Sequence, residues 1–468
     1  MSPLDHYEGK TIALYGADPG GIGAADALRQ AGANILLWDE RGIIREQLEK
    51  TPYRCTHPKN WPWDKVSAVF AAASSLSRLS PNHPIMRQIA SKDIAFATVA
   101  DLFAQCAEPM RARGNQLIAI SGSLGKSLLA SLIRHILHTA GRKAVIAGEG
   151  PDEGCRNFLS CLPLQKTAII TEYPLPLLAN SGHIPCDIAV ITNIFAHAVE
   201  REGLQGAMKG VLNLHKGLAA NGAYIIGVDG RITQGLCTTL LRAGKKLHGE
   251  IIPVSGEATL GHGVFSIEGH AYAARAGKTS ELGNYSRASH LQGAAHNELA
   301  AAAIAVCLKL GLQTPQIIKA LHSFPGLSGR VEMLARGDGL LAIDDSACSA
   351  LEGVVRIIGA LDHVYWIGHG GARGWSNLRK VKENIAAIYL YAGDPETERM
   401  ITDMGIHVQS FDSPAMAIAA SYYDAERARL NGKSKTILFA PACRTRKNAK
   451  ARQEFLTFVH RLKQAGVA

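Results

Sequence analysis

Gln116-Leu-Ile-Ala-Ile-Ser-Gly-Ser-Leu-Gly-Lys-Ser127, running on into Leu128-Leu-Ala-Ser-Leu-Ile-Arg-His-Ile-Leu137, decides how the chain reads. Leu117 to Ile120 is an apolar run of the kind that forms a strand buried on both faces. Gly122 and Gly125 mark a tight turn, and then Leu128, Leu129, Leu132, Ile133, Ile136 and Leu137 recur at helical spacing. Strand, glycine turn, Lys-Ser and helix in that order make an anion cradle. Backbone N–H groups and the positive end of the helix meet a phosphate, Lys126 adds a point charge, and Ser127 offers a hydroxyl to Mg²⁺. The strict phosphate-loop pattern wants a glycine where Ile120 stands, so the match is to a shortened G-x-x-G-K-S. The competing reading is an ordinary strand-to-helix turn with a chance Lys-Ser.

Upstream, Lys10-Thr-Ile-Ala-Leu-Tyr15 reads as a strand, Gly16-Ala-Asp-Pro-Gly-Gly-Ile-Gly23 as a glycine-rich turn, 24–31 as a helix and 34–38 as a second strand ending at Asp39. This is a βαβ unit with an acid after its second strand, yet Asp18 replaces the middle glycine of G-x-G-x-x-G. A nucleotide-like ligand and a plain βαβ unit both fit. A strand over 66–70 follows, then a closing element over 96–103, and 108–115 reads as a linker.

Downstream, strands are expected at 143–147, at 167–171 ending on Glu172, at 187–193 with His197 just beyond, and at 223–227 leading to Asp229. Alternation with a helix over 204–219 gives a parallel sheet. Glu172, at a strand end, is a candidate Mg²⁺ ligand or a surface acid. A turn over 289–292 and an Ala-rich helix over 294–310 come next. The last third has strands at 340–346, 364–368, 387–391 and 436–440, a glycine-rich loop through Gly371 and Arg373, and a final helix over 448–465. The expected fold is therefore α/β in three domains: a Rossmann-like domain over 1–108, a P-loop parallel-sheet ATPase domain over 109–328, and a Rossmann-like α/β domain over 329–468.

Length and composition agree with this. At about 150 residues per domain, 468 residues suggest three domains. Nine cysteines without a C-x-x-C pair point to reduced thiols in a cytoplasmic protein and away from a metal–thiolate site. No signal peptide and no membrane insertion are expected, because no apolar run approaches about 20 residues. A net charge of +10 favours acidic small-molecule ligands. Nucleic acid is not expected as a partner: the one basic cluster, Arg444, Arg446, Lys447, Lys450 and Arg452, lacks interleaved aromatics. It reads as a solvated helix face or as a holder of phosphate or carboxylate.

In this order the pieces resemble the Mur ligase family. The resemblance spans nearly the whole chain and is borne by Gly122-Ser-Leu-Gly-Lys-Ser127, Asn193-Ile-Phe-Ala-His197, Leu291-Gln-Gly-Ala-Ala-His-Asn297, Phe324-Pro-Gly-Leu-Ser-Gly-Arg330, Asp345-Ser346 and Phe439-Ala-Pro-Ala-Cys443. It implies an ATP-dependent amide ligase of peptidoglycan precursor synthesis that joins D-glutamate to a UDP-muramoyl precursor through an acyl-phosphate. By that resemblance Gly122, Ser123, Leu124, Gly125, Lys126 and Ser127 hold the phosphates of ATP, and Ser127, Glu172 and His197 hold Mg²⁺ or a second metal. Lys126, Glu172 and His197 form the catalytic set. Asn297 contacts adenine, and Arg330 and Asp345 contact ATP. Gly16, Gly21 and Asp39 lie in the UDP-sugar region, and Ser349, Arg373 and Thr445 where the family binds the amino acid. A monomer is expected.

The sequence also departs from the family. The lysine that the family carbamylates to bridge two metal ions falls, counted without gaps, on Leu212, with Lys209 and Lys216 on the same helix face. The acid before the His is Ala196, and the lysine of Asp-Ser-Lys is Ala347. Thr-Asn before Gly-Lys reads Ser123-Leu124, and the second adenine-motif Asn is Ala300. The substrate-loop Asn is Glu149, and the first-domain Ser-Pro-Gly loop is replaced around 71–79. Loss of several catalytic cations predicts slow turnover. It leaves as alternatives a catalytically impaired paralogue that keeps nucleotide or UDP-sugar binding, and a ligase acting on a different acid.

Overall fold

The computed structural model describes residues 3–48, 53, 55–76, 78–148, 161–195, 203–243, 248–291, 293–337, 340–429, 435–443, 445 and 447–464. Its strands form three sheets. The first comprises β1 (Thr11–Tyr15), β2 (Asn34–Trp38), β3 (Val66–Ala71) and β4 (Ala95–Thr98), in the order β2-β1-β3-β4, all parallel. The second comprises β5 (Gln116–Ser121), β6 (Ala144–Gly148), β7 (Ala168–Tyr173), β8 (Cys186–Ile191), β9 (Leu218–Gly227), β10 (Glu250–Ser255), β11 (Gly263–Ile267), β12 (His270–Arg275) and β13 (Lys278–Asn284). Its order is β13-β12-β11-β10-β9-β8-β5-β7-β6. The third comprises β14 (Glu332–Gly337), β15 (Leu340–Asp344), β16 (Val364–His369), β17 (Ile385–Tyr391), β18 (Val408–Phe411) and β19 (Lys435–Phe439), in the order β14-β15-β19-β16-β17-β18. Only β14 runs antiparallel to its neighbour there. The chain is thus α/β with mostly parallel sheets, as its alternating pattern predicts.

The chain divides into two compact units. One holds Met1–Phe265, Tyr272–Gly283 and Glu298–Ala320; the other holds Ser266–Ala271, Asn284–Asn297 and Leu321–Ala468. In the first unit a single apolar core includes Ile12, Leu14 and Leu37 together with Leu117, Ala189 and Tyr224, so it underlies the first sheet and much of the second. The helix Val99–Ala112 feeds both with Leu102, Phe103, Cys106 and Met110. The expected linker over 108–115 is for this reason helical as far as Ala112. Pro109 removes one helix hydrogen bond, but the buried Cys106, Ala107 and Met110 hold the turn in place. Thr98 and Asp101 close that helix's start as a capping box.

The short strands β11 to β13 escaped the sequence reading. Their turns, Glu268-Gly269 and Ala276-Gly277, hold positive φ at both positions, the backbone a two-residue hairpin needs. Neither dipeptide is the Asn-Gly or Asp-Gly that announces such a turn in sequence. β10, β14, β18 and the start of β9 at Leu218 also fall outside the expected strands, the last because the expected helix extends over 218–219. The eight described cysteines are free thiols. Among the described residues no helix is long and apolar enough to cross a membrane.

Candidate nucleotide site

β5 lies between β7 and β8 and ends at Ser121, where the chain turns into the helix Lys126–Thr139. Gly122 takes φ +129°, and a Cβ there would fall 2.2 Å from Thr192 Oγ1. Gly125, at φ +85°, occupies the N-cap in the left-handed region and supplies no side-chain cap. The positive end of this helix is therefore left without the polar side chain that ordinarily covers it. Lys126 folds back over the loop, its Nζ donating to Gly122 O (2.7 Å) and Ser123 O (3.4 Å).

Ser127 Oγ donates to Glu172 Oε2 at 2.8 Å. Strand pairing sets this contact, because Ile120 of β5 lies opposite Glu172 of β7. Glu172 sits one residue inside its strand rather than beyond it, and only 5% of its surface is exposed. A hydroxyl and a carboxylate side by side, next to a phosphate cradle, are hard oxygen donors of the kind Mg²⁺ takes when it keeps waters and shares phosphate oxygens. Among the described residues no group of three or more His, Cys, Asp or Glu could hold a metal. The Ser127–Glu172 pair thus fits a magnesium ion borne partly by nucleotide. His197, Ala196 and Glu149 lie outside the described residues.

Sequence reasoning missed what holds the loop. Asn193, at the end of the run following β8, accepts from Leu124 N at 2.9 Å through Oδ1 and donates to Leu124 O at 3.1 Å through Nδ2. Thr192 Oγ1 adds a second donor to Leu124 O (2.7 Å). Ser123 N donates to Asn193 O (2.9 Å), and Ser123 Oγ accepts from Phe195 N (3.0 Å). Leu124 was expected to bind phosphate, but its amide hydrogen is already given to Asn193. The signal available in sequence was Thr-Asn closing a strand adjacent in the sheet to the phosphate-loop strand.

The departures can be placed too. Leu212 is 41% exposed on the helix Gly203–Lys216, with Lys209 and Lys216 exposed on the same face and Val211 and Leu214 buried. Ala300 is buried within the helix Ala294–Lys309.

In the first sheet the helix starts at Pro19, not at 24, because the Asp18 carboxylate caps it by accepting from Gly21 N at 2.9 Å. The same side chain accepts from Ser74 N at 2.9 Å. Gly16 (φ +107°) and Gly21 are close-packing positions. A Cβ on Gly21 would lie 2.0 Å from Gly16 O, and one on Gly16 would lie 2.4 Å from Ser75 Oγ. Asp39 accepts from Ala17 N (2.8 Å) and Arg41 N (2.9 Å) and forms an ion pair with Arg41 (2.6 Å). Burial pushes its carboxyl up, but these bonds prevail and hold it below the ordinary value.

In the second unit, Asn297 is buried and accepts from Tyr285 Oη at 3.0 Å. Arg330 and Ser349 are half-buried and Arg373 is exposed. Asp345 is buried and accepts from Val331 N (3.2 Å) through Oδ1. Its Oδ2 meets only the weak thiol of Cys348, whose better acceptor is Ala350 O at 3.3 Å. Burial pushes the Asp345 carboxyl up to about 7, against the charge of Arg330. Of the C-terminal basic cluster, Arg444 and Arg446 lie outside the described residues. Of the two readings of this cluster, Arg452 takes the carboxylate one, with carboxylates of its own chain: it donates to Asp344 Oδ2 (2.7 Å), Ser328 Oγ (2.6 Å) and Glu332 Oε2 (3.3 Å). The buried Asp344 carboxylate, with half-buried Glu332 beside it, draws a guanidinium that the helix pattern alone would leave in water.

No protein-family model matches the chain. It is nonetheless 28% identical over 462 residues to the UDP-N-acetylmuramoylalanine–D-glutamate ligase of Phenylobacterium zucineum (strain HLK1), covering 95% of this chain and 93% of that one. It is 27% identical over 460 residues to the ligase of the same name from Caulobacter sp. (strain K31), with the same coverage. Among solved structures, UDP-N-acetylmuramate–alanine ligase MurC from Thermotoga maritima superposes with a TM-score of 0.58 at 13% identity, over 97% of this chain and 99% of that one. MurF ligase from Thermotoga maritima in complex with ADP gives 0.57 at 16%, over 98% and 97%. Along nearly its whole length the chain is similar in sequence to ligases named UDP-N-acetylmuramoylalanine–D-glutamate ligase, and it shares the fold of the Mur ligases. These two relatives match it over 93% of their own length.

Proposed function

We propose that this chain is an ATP-dependent amide ligase of peptidoglycan precursor synthesis that adds D-glutamate to UDP-N-acetylmuramoyl-L-alanine. The observation behind this reading is the uncapped phosphate loop with its Lys126 and its Ser127–Glu172 pair. It sits in a chain that matches a ligase of that name over 95% of its length. The three-part division 1–108, 109–328 and 329–468 goes with it, for UDP sugar, ATP and amino acid respectively.

In this reading Lys126 leaves its loop carbonyls and neutralises the γ-phosphoryl group as it passes to the muramoyl carboxylate. The amine of D-glutamate then attacks the acyl-phosphate and phosphate leaves. Catalysis by positioning and charge needs little else from the protein. Ser127 and Glu172 would hold Mg²⁺, whose charge offsets that of the phosphate oxygens. His197 would hold a second metal. Asn297, its carbonyl fixed by Tyr285, would offer its amide to adenine, while Arg330 and Asp345 face ATP. Gly16, Gly21 and Asp39 would shape the UDP-sugar region, and Ser349, Arg373 and Thr445 the amino-acid region. The protein would act as a cytoplasmic monomer. Leu212 and Ala347, standing where the family has lysines, make slow turnover the expected form of this activity.

The test is phosphate release with ATP, Mg²⁺ and UDP-N-acetylmuramoyl-L-alanine, with and without D-glutamate. Release that requires both the sugar nucleotide and D-glutamate, at a rate below about 1 s⁻¹, is expected. Release indifferent to D-glutamate sinks the reading, and so does none above background.

A further inference from the structure

Two handles fix a nucleotide to a βαβ unit. The helix N-terminus after the first strand takes the phosphates, and an acid after the second strand takes a ribose hydroxyl. In the first sheet the chain holds both handles with groups of its own.

The helix Pro19–Gln30 follows β1, and Pro19, its first residue, has no N–H to give. The Asp18 carboxylate, 8% exposed, takes Gly21 N through Oδ1 and Ser74 N through Oδ2, both at 2.9 Å. It thereby joins the turn after β1 to the chain just beyond β3, and its charge meets the positive end of the helix. Gly16 N donates to Trp38 O at 2.8 Å and Ala17 N to Asp39 Oδ2 at 2.8 Å, so two further amides of the turn are taken.

The second handle is Asp39. Its Oδ1 accepts from Arg41 N (2.9 Å) and Arg41 Nε (2.8 Å), and its Oδ2 from Ala17 N and a terminal Arg41 nitrogen (2.6 Å). A carboxylate offers about four lone-pair sites. All are engaged, and the residue is 2% exposed, so a ribose hydroxyl finds no acceptor there. The glycines are accounted for by packing, since a Cβ on Gly21 would meet Gly16 O and one on Gly16 would meet Ser75 Oγ. Nothing in this motif requires a ligand close to the backbone.

We propose that Asp18 is a specificity-determining residue: its carboxylate keeps the diphosphate of a sugar nucleotide off this turn, so the chain selects its acceptor by the sugar and peptide portion and takes N-acetylmuramoyl-L-alanine without a nucleotide as readily as the UDP-linked form. The ligase reading above supplies the acyl part of that acceptor; the class of acceptor is what is added. A diphosphate brought to the helix start meets a carboxylate already seated on the donors it needs, and like charges close together in a partly buried site repel. The reaction itself has no use for the nucleotide, because the carboxylate that takes the γ-phosphoryl group lies on the peptide part, away from the anomeric diphosphate.

The experiment titrates UDP-N-acetylmuramoyl-L-alanine and N-acetylmuramoyl-L-alanine by calorimetry into the full-length chain loaded with Mg²⁺ and a non-hydrolysable ATP analogue. Wild type should bind the two with affinities less than about tenfold apart, the least that hydrogen bonds to a charged diphosphate would add. Asp18→Gly opens the turn and should tighten the sugar nucleotide about tenfold or more while leaving the nucleotide-free acceptor unchanged. Asp18→Asn keeps a helix cap and loses the charge. It should move the ratio in the same direction, and it reads the charge alone should the glycine variant not fold. A wild-type preference for the sugar nucleotide above about tenfold overturns the proposal. So does a ratio unchanged in both variants, or a wild-type chain that binds neither acceptor. The ligase reading fails separately, through D-glutamate-dependent phosphate release, and survives whichever acceptor is preferred.

Discussion

Two stretches of the first unit have nearly the same outline: a buried strand, a glycine turn and a helix. At Gly122–Ser127 the helix begins on a left-handed glycine with no side-chain cap, and a lysine rests over the turn. At Gly16–Gly21 the helix begins on Asp18, whose carboxylate accepts from Gly21 N and Ser74 N. The first turn leaves its positive end open for an anion from outside. The second has filled that place with an anion of its own. Glycine content alone does not separate them; the residue at the helix N-cap does.

The same contrast divides the acids that follow strands. Asp39, after β2, has donors on both oxygens and a depressed pKa. Asp345, after β15, has a buried oxygen without a good donor and a raised one. Satisfied acids brace a turn, whereas the unsatisfied one remains disposed toward a proton or a ligand.

The largest effect should come from the open turn. Lys126→Ala removes the only side-chain cation the described loop supplies, and phosphate release should fall by at least about a hundredfold, in keeping with losses at phosphoryl-transfer sites. Mg·ATP titrations should lose most of their heat while the melting temperature moves little. An unchanged ATP affinity in Lys126→Ala would mean the two turns differ in shape but not in use.

Next in size is a stability effect at Asp345. Its folded pKa of about 7 lies above the ordinary 3.8, so between those values the unfolded chain has ionised while the folded chain still holds its proton. Stability therefore falls as pH rises from about 4 to 7 and levels off above, by a few kcal/mol at about 1.4 kcal/mol per unit. Asp345→Asn should be more stable than wild type in urea at pH 8, and the gap should shrink to within about 1 kcal/mol at pH 4. For Asp39 the order is reversed. Its lowered pKa stabilises the fold at neutral pH, and that contribution disappears as pH falls through the folded value, so Asp39→Asn should be harmful at pH 7 and near neutral at pH 2. Gaps that do not change with pH would remove the distinction between the two acids.

Much of this was visible in the residues. The strand–turn–helix at Gln116–Leu137 is written in hydrophobic period, and period is set by burial, which the sequence records directly. The Ser127–Glu172 contact follows from positions legible in sequence, because Glu172 stands near the end of one strand and Ser127 opens the helix that follows its neighbour in the sheet. What the sequence hid depends on partners far along the chain. Asn193 grips Leu124 across 69 positions, and Arg452 reaches Asp344 across 108. Nothing local marks Arg452 as a clamp, and Thr192-Asn193 signals one only once β8 is known to lie beside β5. In sequence Asp18 breaks a glycine motif; that it fills the site it breaks follows only from Ser74 N pointing at it.

The smallest effect tests that last point. Removing the Asp18 carboxylate should cost the first unit about 1 kcal/mol, the usual worth of an N-cap, and should leave ATP affinity unchanged, since the phosphate loop has its own clamp in Thr192 and Asn193. Asp18→Ala measures this alone. Asp18→Gly does more, because it restores G-x-G-x-x-G at Gly16, position 18 and Gly21 and vacates the anion place. In a Lys126→Ala background, where the open turn is disabled, Asp18→Gly should let inorganic phosphate raise the melting temperature, whereas Asp18 intact should not. If phosphate stabilises both forms alike, the carboxylate was never occupying an anion site, and the likeness of the two turns ends at their outline.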